Sequence, residues 1–221
     1  MSKGTLESSI GRSPVGAGIG AIAFSVSTVA ALVVANPPGG NYSATNVTDY
    51  LAKGHRIAVI VVVQLALLGV VGLVYLLAHL RHLLAAGPAR STFWGTGIAA
   101  AAAFAVGWAF VVSQVVAHWE GGTAIVIPLA VTYLISVVGV ALIYGAGAVL
   151  LGCALIVLVL NARGLLPSWL RWLTLVAGIA GIGGLAFFTF YVLMLWGIIV
   201  GLWLVALGLR SPATELAGQP G

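Results

Sequence analysis

The sequence predicts an all-α protein, a polytopic membrane helix bundle of six transmembrane helices with both termini in the cytoplasm. The first observation is composition: of 221 residues, 62% are hydrophobic and only 6% are charged, and the mean hydropathy is +1.18. A soluble domain is about one quarter charged. The second is that the apolar tracts are close to the ~20 residues that cross a hydrocarbon core. The third is that the few charges fall between these tracts.

This composition excludes several classes of protein. It is too apolar for a soluble enzyme or a disordered chain. The net charge of +5 and the pI near 9.8 come from nine basic and four acidic residues, too few to build a phosphate-binding surface, so we expect no nucleic-acid partner. The single cysteine, Cys153, excludes an intrachain disulfide and a cysteine-based metal site.

The apolar tracts define the expected transmembrane domain, 15–210. The expected spans are 15–35, 57–80, 94–117, 138–160, 168–187 and 190–209. The last two come from one tract, Trp172 to Leu209, which is too long for a single helix at ordinary tilt. Gly183 and Gly184 indicate a turn inside it, although one kinked helix remains an alternative. Residues 1–14 form a cytoplasmic tail and residues 211–221 a polar, disordered tail.

Two segments face the outside in this scheme. The loop 36–56 opens with a Pro-Pro-Gly-Gly turn cluster, and Thr45 or Thr48 is expected to cap an interfacial helix leading into the second span. The segment 119–137 is expected to form an outer cap, because Pro128 disrupts a helix interior. A re-entrant segment or an extra span remains possible there. The first helix is too long for a signal peptide and is expected to be retained.

The basic residues predict the orientation. With the N-terminus inside, Lys53 and Arg56 face out, and seven basic residues are cytoplasmic: Lys3, Arg12, Arg81, Arg90, Arg163, Arg171 and Arg210. This bias agrees with the positive-inside rule and explains the basic pI.

Small residues are expected to hold the bundle together, because lipid is as apolar as leucine and close backbone approach must drive packing. The candidate packing residues recur at helical spacing on the spans and are Gly16, Gly20, Gly145, Gly152, Gly178, Gly197 and Gly201.

Apart from Arg171, in the first turn of the fifth expected span, no acidic or basic residue falls inside an expected span, which argues against a pump or an ion-coupled transporter. No catalytic residue is recognisable, and we expect no enzymatic activity. Neutral polar side chains do occur at membrane depth. Four of them are candidates to line a ligand cavity, namely Gln64, Tyr75, Gln114 and Tyr144.

Two histidines give the one specific chemical hypothesis. His55 and His118 are expected at the same depth on neighbouring helices, where they could bind haem b or a metal, with Glu120 and Gln114 as supporting groups. The simpler interpretation is that both histidines lie in water, with Gln64 and Gln114 hydrogen-bonded between helices. No cofactor is then required.

Three short motifs resemble a bacterial family. They are Asp49–Arg56 before the second span, Leu80–Leu84 after it, and Gly164-Leu-Leu-Pro-Ser-Trp-Leu170 before the fifth. They are similar to a domain of unknown function in small multi-pass proteins, frequent in actinobacteria, in which a Gly-x-Leu-Pro-x-Trp-Leu turn precedes an apolar helix. The resemblance covers about residues 16–210. It implies a six-helix inner-membrane fold and no catalytic residue.

The leading hypothesis is therefore a non-enzymatic protein of the bacterial inner membrane that acts through helix–helix association with itself or with a larger complex. Membrane lipids are the other expected partners. The alternative is a facilitator or carrier of a small neutral or lipophilic compound. A second alternative is a haem- or metal-binding electron-transfer subunit.

Overall fold

The computed structural model describes residues 14–52, 55–121, 127–162, 166–184 and 188–217, and it leaves the side chains of 55–56, 188 and 210–217 undescribed. All the regular structure in this part of the chain is helical, which confirms the all-α prediction. Five helices are long and apolar enough to cross a membrane, and one apolar helix is shorter. The protein is thus a multi-pass membrane protein by the length and composition of its helices.

The described helices are labelled in chain order. They are α1 (Pro14–Ala35), α2 (Ala44–Leu51), α3 (His55–Leu80), α4 (Pro88–Glu120), α5 (Leu129–Asn161), α6 (Ser168–Ile182) and α7 (Phe188–Ala217). A 3₁₀ turn, Arg81–Leu83, follows α3, and a π-helical turn, Leu142–Gly147, lies within α5. We call the end of the bundle that carries α2 the α2 end, and the end that carries Arg81, Arg90 and Arg171 the arginine end.

Apart from α2, the helices form a ring in which each packs against its neighbours in the chain and α1 closes the circle between α3 and α7. The centre of this ring is filled by aromatic side chains. The Phe104 ring lies 5.3 Å from that of Phe24 and 6.4 Å from that of Phe190, and all three side chains are buried. These rings join α1, α4 and α7 across the bundle.

Neighbouring helices cross where glycine backbones touch. A Cβ atom at Gly20 of α1 would lie only 2.7 Å from the Gly72 carbonyl oxygen of α3. Corresponding glycine contacts join three more pairs of neighbouring helices: Gly18 with Gly201 for α1 and α7, Gly107 with Gly139 for α4 and α5, and Gly152 with Gly178 for α5 and α6. Four of the six helix contacts in the ring are therefore made at positions that have no room for a side chain.

The helices differ greatly in length. With 33 residues each, α4 and α5 are about 50 Å long, whereas α6 has 15 residues and is about 22 Å long. The sequence predicted its fifth span over 168–187, but α6 ends at Ile182, before the Gly183–Gly184 turn. That turn packs against the Tyr144 backbone, midway along α5. The α6–α7 hairpin therefore stops about 20 Å short of the α2 end of α5.

The other boundaries also differ from the expected ones. The helix α4 begins at Pro88 rather than at residue 94 and continues to Glu120. The later part of the segment expected as an outer cap, residues 129–137, is the first part of α5, and Pro128 is the N-cap of this helix. The last helix continues through Ala217, into the segment for which the sequence predicted a disordered tail. The expected N-terminal tail up to residue 13 lies outside the described residues.

The short helix α2 lies in the expected loop, but its N-cap is Ser43 rather than Thr45 or Thr48. The Ser43 hydroxyl accepts a hydrogen bond from the backbone N–H of Asn46. Tyr50 anchors the helix to the bundle, because its buried hydroxyl donates to the Val111 carbonyl of α4.

Candidate functional site

The unequal helix lengths leave a recess at the α2 end, above the α6–α7 turn. Its cavity measures about 300 Å³. It is lined by Leu32, Val33, Asn36, Pro37, Gly39, Val140, Tyr144 and Tyr191. Three helices thus form its walls, and the loop after α1 forms its rim.

The base of the recess is set by the π-helical turn. In a π-helical turn the i→i+4 hydrogen bonds of the helix are interrupted, and such turns are frequent at functional sites. Here the turn contains Tyr144 and the buried Gly145, and Gly184 packs directly against the Tyr144 carbonyl. A side chain at residue 184 would not fit, so this glycine lets the hairpin end against the irregular turn.

Two tyrosines provide the hydroxyl groups of the recess. The Tyr144 ring packs edge-on against Phe190 with 4.4 Å between the ring centres, and its hydroxyl shares a side-chain hydrogen bond with Tyr191. Tyr191, on the first turn of α7, is half exposed. A pair of phenols can both donate and accept hydrogen bonds without carrying charge at neutral pH.

A second, more polar cavity of about 320 Å³ adjoins the recess and shares Asn36, Pro37 and Gly39 with it. Asn46, Asp49 and Tyr50 of α2 contribute to its wall. Asn36 lies on the boundary of both cavities with a positive φ of 40°, a conformation that asparagine tolerates better than most residues. Together the two cavities lead from a polar opening to an apolar wall.

The four residues predicted to line a cavity are not brought together. Gln64 is exposed on α3, and Tyr75 lies against Gly16 of α1. Gln114 is buried, and its amide donates to the Phe110 carbonyl of its own helix rather than to a neighbouring helix. Only Tyr144 among the four lines the recess. Sequence analysis missed Tyr191 and Asn36, because no local sequence pattern indicates that the α6–α7 hairpin ends midway along α5.

The proposed haem site falls partly outside the described residues, since the His55 side chain is not described. His118 and Glu120 are exposed in the last turn of α4, whereas Gln114 is buried one turn earlier. In the described ranges, no three side chains among His, Cys, Asp and Glu form a group that could hold a metal. The haem hypothesis stays a prediction.

Three buried polar side chains lie on α4 and α5 outside the recess. Thr132 and Ser136 lie one turn apart on α5, and Gln114 lies on α4, about two turns from Gly107 at the Gly107–Gly139 crossing. Among the described residues, the oxygen of the Gln114 amide and both hydroxyls have no hydrogen-bond partner. The sequence showed these only as scattered polar residues, because burial depends on the facing helix.

One of the three motifs that suggested the family resemblance, the one that contains Pro167, has a local role at the start of α6. Pro167 is the N-cap of α6, and Leu166 and Leu170 on either side of it are buried. Comparisons with family models, with curated proteins and with solved structures found no match for this chain. The family resemblance stays a prediction.

Proposed function

We propose that this protein binds a neutral, lipophilic compound with a hydrogen-bonding head in the recess at the α2 end. The proposal corresponds to the carrier alternative from the sequence, with the site moved to a different set of residues. The observation that carries it is the recess itself, where the phenols of Tyr144 and Tyr191 meet the apolar walls of α1 and α5.

The chemistry of the lining supports a neutral ligand. The apolar wall consists of Leu32, Val33 and Val140, which suit a hydrocarbon tail. Among the described residues that line the recess, only the tyrosines are titratable, and an isolated charge transferred into such a wall would lose its hydration. A hydroxyl, carbonyl or amide head could instead hydrogen-bond to the tyrosine pair.

The position of the recess supports entry from the membrane. Val33 is 73% exposed on the outer surface of α1, so one wall is continuous with the lipid-facing surface. The adjoining polar cavity provides a route to water past Asn36. A lipophilic molecule could thus enter sideways from lipid and present its head toward the aqueous opening.

Association with a second copy or a larger complex also stays a prediction. The sequence suggested association because glycines recur at helical spacing on several spans. Those glycines with described contacts (Gly16, Gly20, Gly152, Gly178, Gly197 and Gly201) all lie against other helices of the same chain. They therefore supply no separate argument for a partner.

Photolabelling with a benzophenone-bearing long-chain alcohol tests the binding proposal. The full-length protein in lipid vesicles is irradiated with the probe, and labelled peptides are identified by mass spectrometry. We expect label on Val33, Val140 or Tyr191, reduced by an excess of unlabelled alcohol because the recess holds a limited number of molecules. Labelling that competition does not reduce would contradict the proposal.

Two matched variants separate the recess from ordinary contact with lipid. Val33→Trp fills the recess, whereas Val26→Trp adds the same bulk to an exposed position nearer the middle of α1, outside the lining. Competed labelling should disappear in Val33→Trp and persist in Val26→Trp. Equal labelling of both variants would mean that the probe reports lipid contact alone.

A further inference from the structure

A separate cavity lies between α5 and α6 at the arginine end. It measures about 200 Å³ and is lined by Val159 of α5 and by Ser168, Arg171, Trp172 and Leu175 of α6. It is far from the recess, because α6 begins at this end and the recess lies beyond its last turn. Its lining combines one permanent cation with apolar side chains.

Arg171 differs from the other arginines described at this end. The Arg81 guanidinium lies over the Trp94 ring at 5.1 Å, and Arg90 is 3.4 Å from the Nδ1 atom of His82. All three arginines have a buried Nε atom without a hydrogen-bond partner among the described residues, but Arg171 alone of the three has no described ring or side-chain partner for the rest of its guanidinium. A half-buried guanidinium with an unused donor is unfavourable unless an anion or another acceptor completes it.

Neighbouring groups add donors to the same place. The Ser168 hydroxyl is exposed at the first position of α6. The N-cap, Pro167, makes no side-chain capping bond to the first backbone N–H groups of this 15-residue helix. Helix starts favour anions because of these free N–H groups and the helix dipole. The Ser168 hydroxyl and these N–H groups add to the attraction of Arg171 for an anion, but without the cavity they would not define a site.

The remaining lining suits a hydrocarbon chain. Val159 and Leu175 form the apolar side of the cavity, and Trp172 is 69% exposed beside it. Tryptophan prefers the interface between lipid tails and headgroups, which places Arg171 at phosphate height. The acidic residues with described side chains, Asp49 and Glu120, are at the α2 end and do not compete for the arginine.

We propose that this cavity binds one anionic phospholipid, with its phosphate on Arg171 and Ser168 and an acyl chain along Val159 and Leu175. Basic pockets between transmembrane helices bind anionic headgroups in this way. A free phosphate ion would satisfy the same donors but would leave the apolar wall unused.

Native mass spectrometry of the full-length protein in detergent tests this proposal. Phosphatidylglycerol is titrated in, with phosphatidylcholine of the same chains and inorganic phosphate as separate probes. We expect one phosphatidylglycerol to bind selectively. Arg171→Gln should weaken its binding by about tenfold or more, the size expected for losing charge-assisted hydrogen bonds.

Arg90→Gln is the matched control, because it removes the same charge at the same end but outside the cavity lining. Its binding of phosphatidylglycerol should stay within about twofold of the unaltered protein, because a charge outside the cavity acts on the headgroup only through screened, long-range attraction. A second variant, Val159→Trp, keeps the charge and fills the apolar side, and it should also weaken binding. Circular dichroism verifies that each variant is folded.

Three results would overturn the proposal. Equal losses in Arg171→Gln and Arg90→Gln would indicate general attraction to a basic surface. Equal binding of phosphatidylcholine would show that the phosphate charge is not recognised. Competition by inorganic phosphate, with no effect of Val159→Trp, would identify a simple anion site rather than a lipid site.

Discussion

At the scale of single residues, the fold depends on glycine, because the close helix crossings leave no room for a Cβ atom. The crossing of α1 and α3 brings the Gly20 and Gly72 backbones so close that a Cβ on Gly20 would lie 2.7 Å from a carbonyl oxygen. Backbone cannot rotate away as a side chain can, so one helix would have to move. Gly95, on the exposed side of α4, has nothing within 4 Å of its Cβ position.

These two glycines make a matched pair for a stability test. We expect Gly20→Ala to lower the free energy of unfolding by about 1–3 kcal/mol, because overpacking shifts the helices. Gly95→Ala should leave it unchanged or raise it by up to about 1 kcal/mol, because alanine favours helix. Thermal unfolding in detergent measures both. Equal effects would mean that the close contact does not limit packing.

A buried hydrogen bond ties α6 to α7. The Trp196 indole N–H donates to the Thr174 hydroxyl at 3.0 Å, and both side chains are almost fully buried. Thr174→Val keeps the shape but removes the acceptor. We expect it to lower the free energy of unfolding by about 0.5–2 kcal/mol. In a Trp196→Phe background the indole donor is absent, so Thr174→Val should change the free energy of unfolding little. An equal loss of stability in both backgrounds would show that the loss does not come from the Trp196–Thr174 hydrogen bond.

At the scale of elements, α2 is held by a small cluster that is separate from the main core. Val47, Tyr50 and Leu51 pack with Val59 of α3 and Val115 of α4. The hydroxyl of Tyr133, on α5, also donates to the Gly40 carbonyl just before this helix. Since α2 has only eight residues, it depends on these contacts rather than on its own helical stability.

The docking of α2 should weaken at alkaline pH. Burial raises the pKa of the Tyr50 hydroxyl well above its usual value, so the docked helix favours the neutral phenol. The resulting stabilisation is fully present below the unfolded pKa of about 10 and is lost as the pH rises beyond it. The informative quantity is the difference between the unaltered protein and Tyr50→Phe, because this difference cancels the effect of alkaline pH on the rest of the protein.

Below pH about 10, we expect Tyr50→Phe to lower the melting temperature, since the bond to Val111 is lost. Above that pH the gap between the two proteins should close, because ionised Tyr50 no longer favours docking. Thermal unfolding across the pH range measures this. A gap that stays constant through the alkaline range would show that Tyr50 ionises without leaving its buried position.

At the scale of the whole molecule, the two ends of the bundle differ in shape and charge. The α4–α5 pair with α2 extends far beyond the α6–α7 turn at one end, and this difference creates the recess. The other end carries Arg81, Arg90 and Arg171. The positive-inside rule predicts that this arginine end faces the cytoplasm.

Cysteine labelling of intact cells tests this orientation. In a Cys153→Ser background, Thr45→Cys on α2 should react with a membrane-impermeant maleimide, whereas His82→Cys at the arginine end should not. Both native side chains are exposed, so accessibility differs only by the side of the membrane. Labelling of His82→Cys but not of Thr45→Cys would show the opposite orientation, in which the recess opens to the cytoplasm.

The sequence by itself determined the properties that depend on local composition. Length and hydropathy predicted the helical class and the apolar tracts, because each helix must satisfy its backbone within lipid. The Gly183–Gly184 turn was also visible locally. Glycine spacing indicated close packing on α1, α5, α6 and α7, but the partner of each glycine could not be read from the sequence.

Only the tertiary structure decided how far each helix reaches and which side chains share a space. The apolar tract of α6 and α7 is long enough for two spans, yet the hairpin stops at Tyr144 because Gly184 packs into the π-helical turn of α5. That contact brings Tyr191 to the recess, whereas Gln64 and Tyr75 lie on α3, which does not line it. Such contacts depend on the relative heights of helices distant in sequence, which hydropathy does not encode.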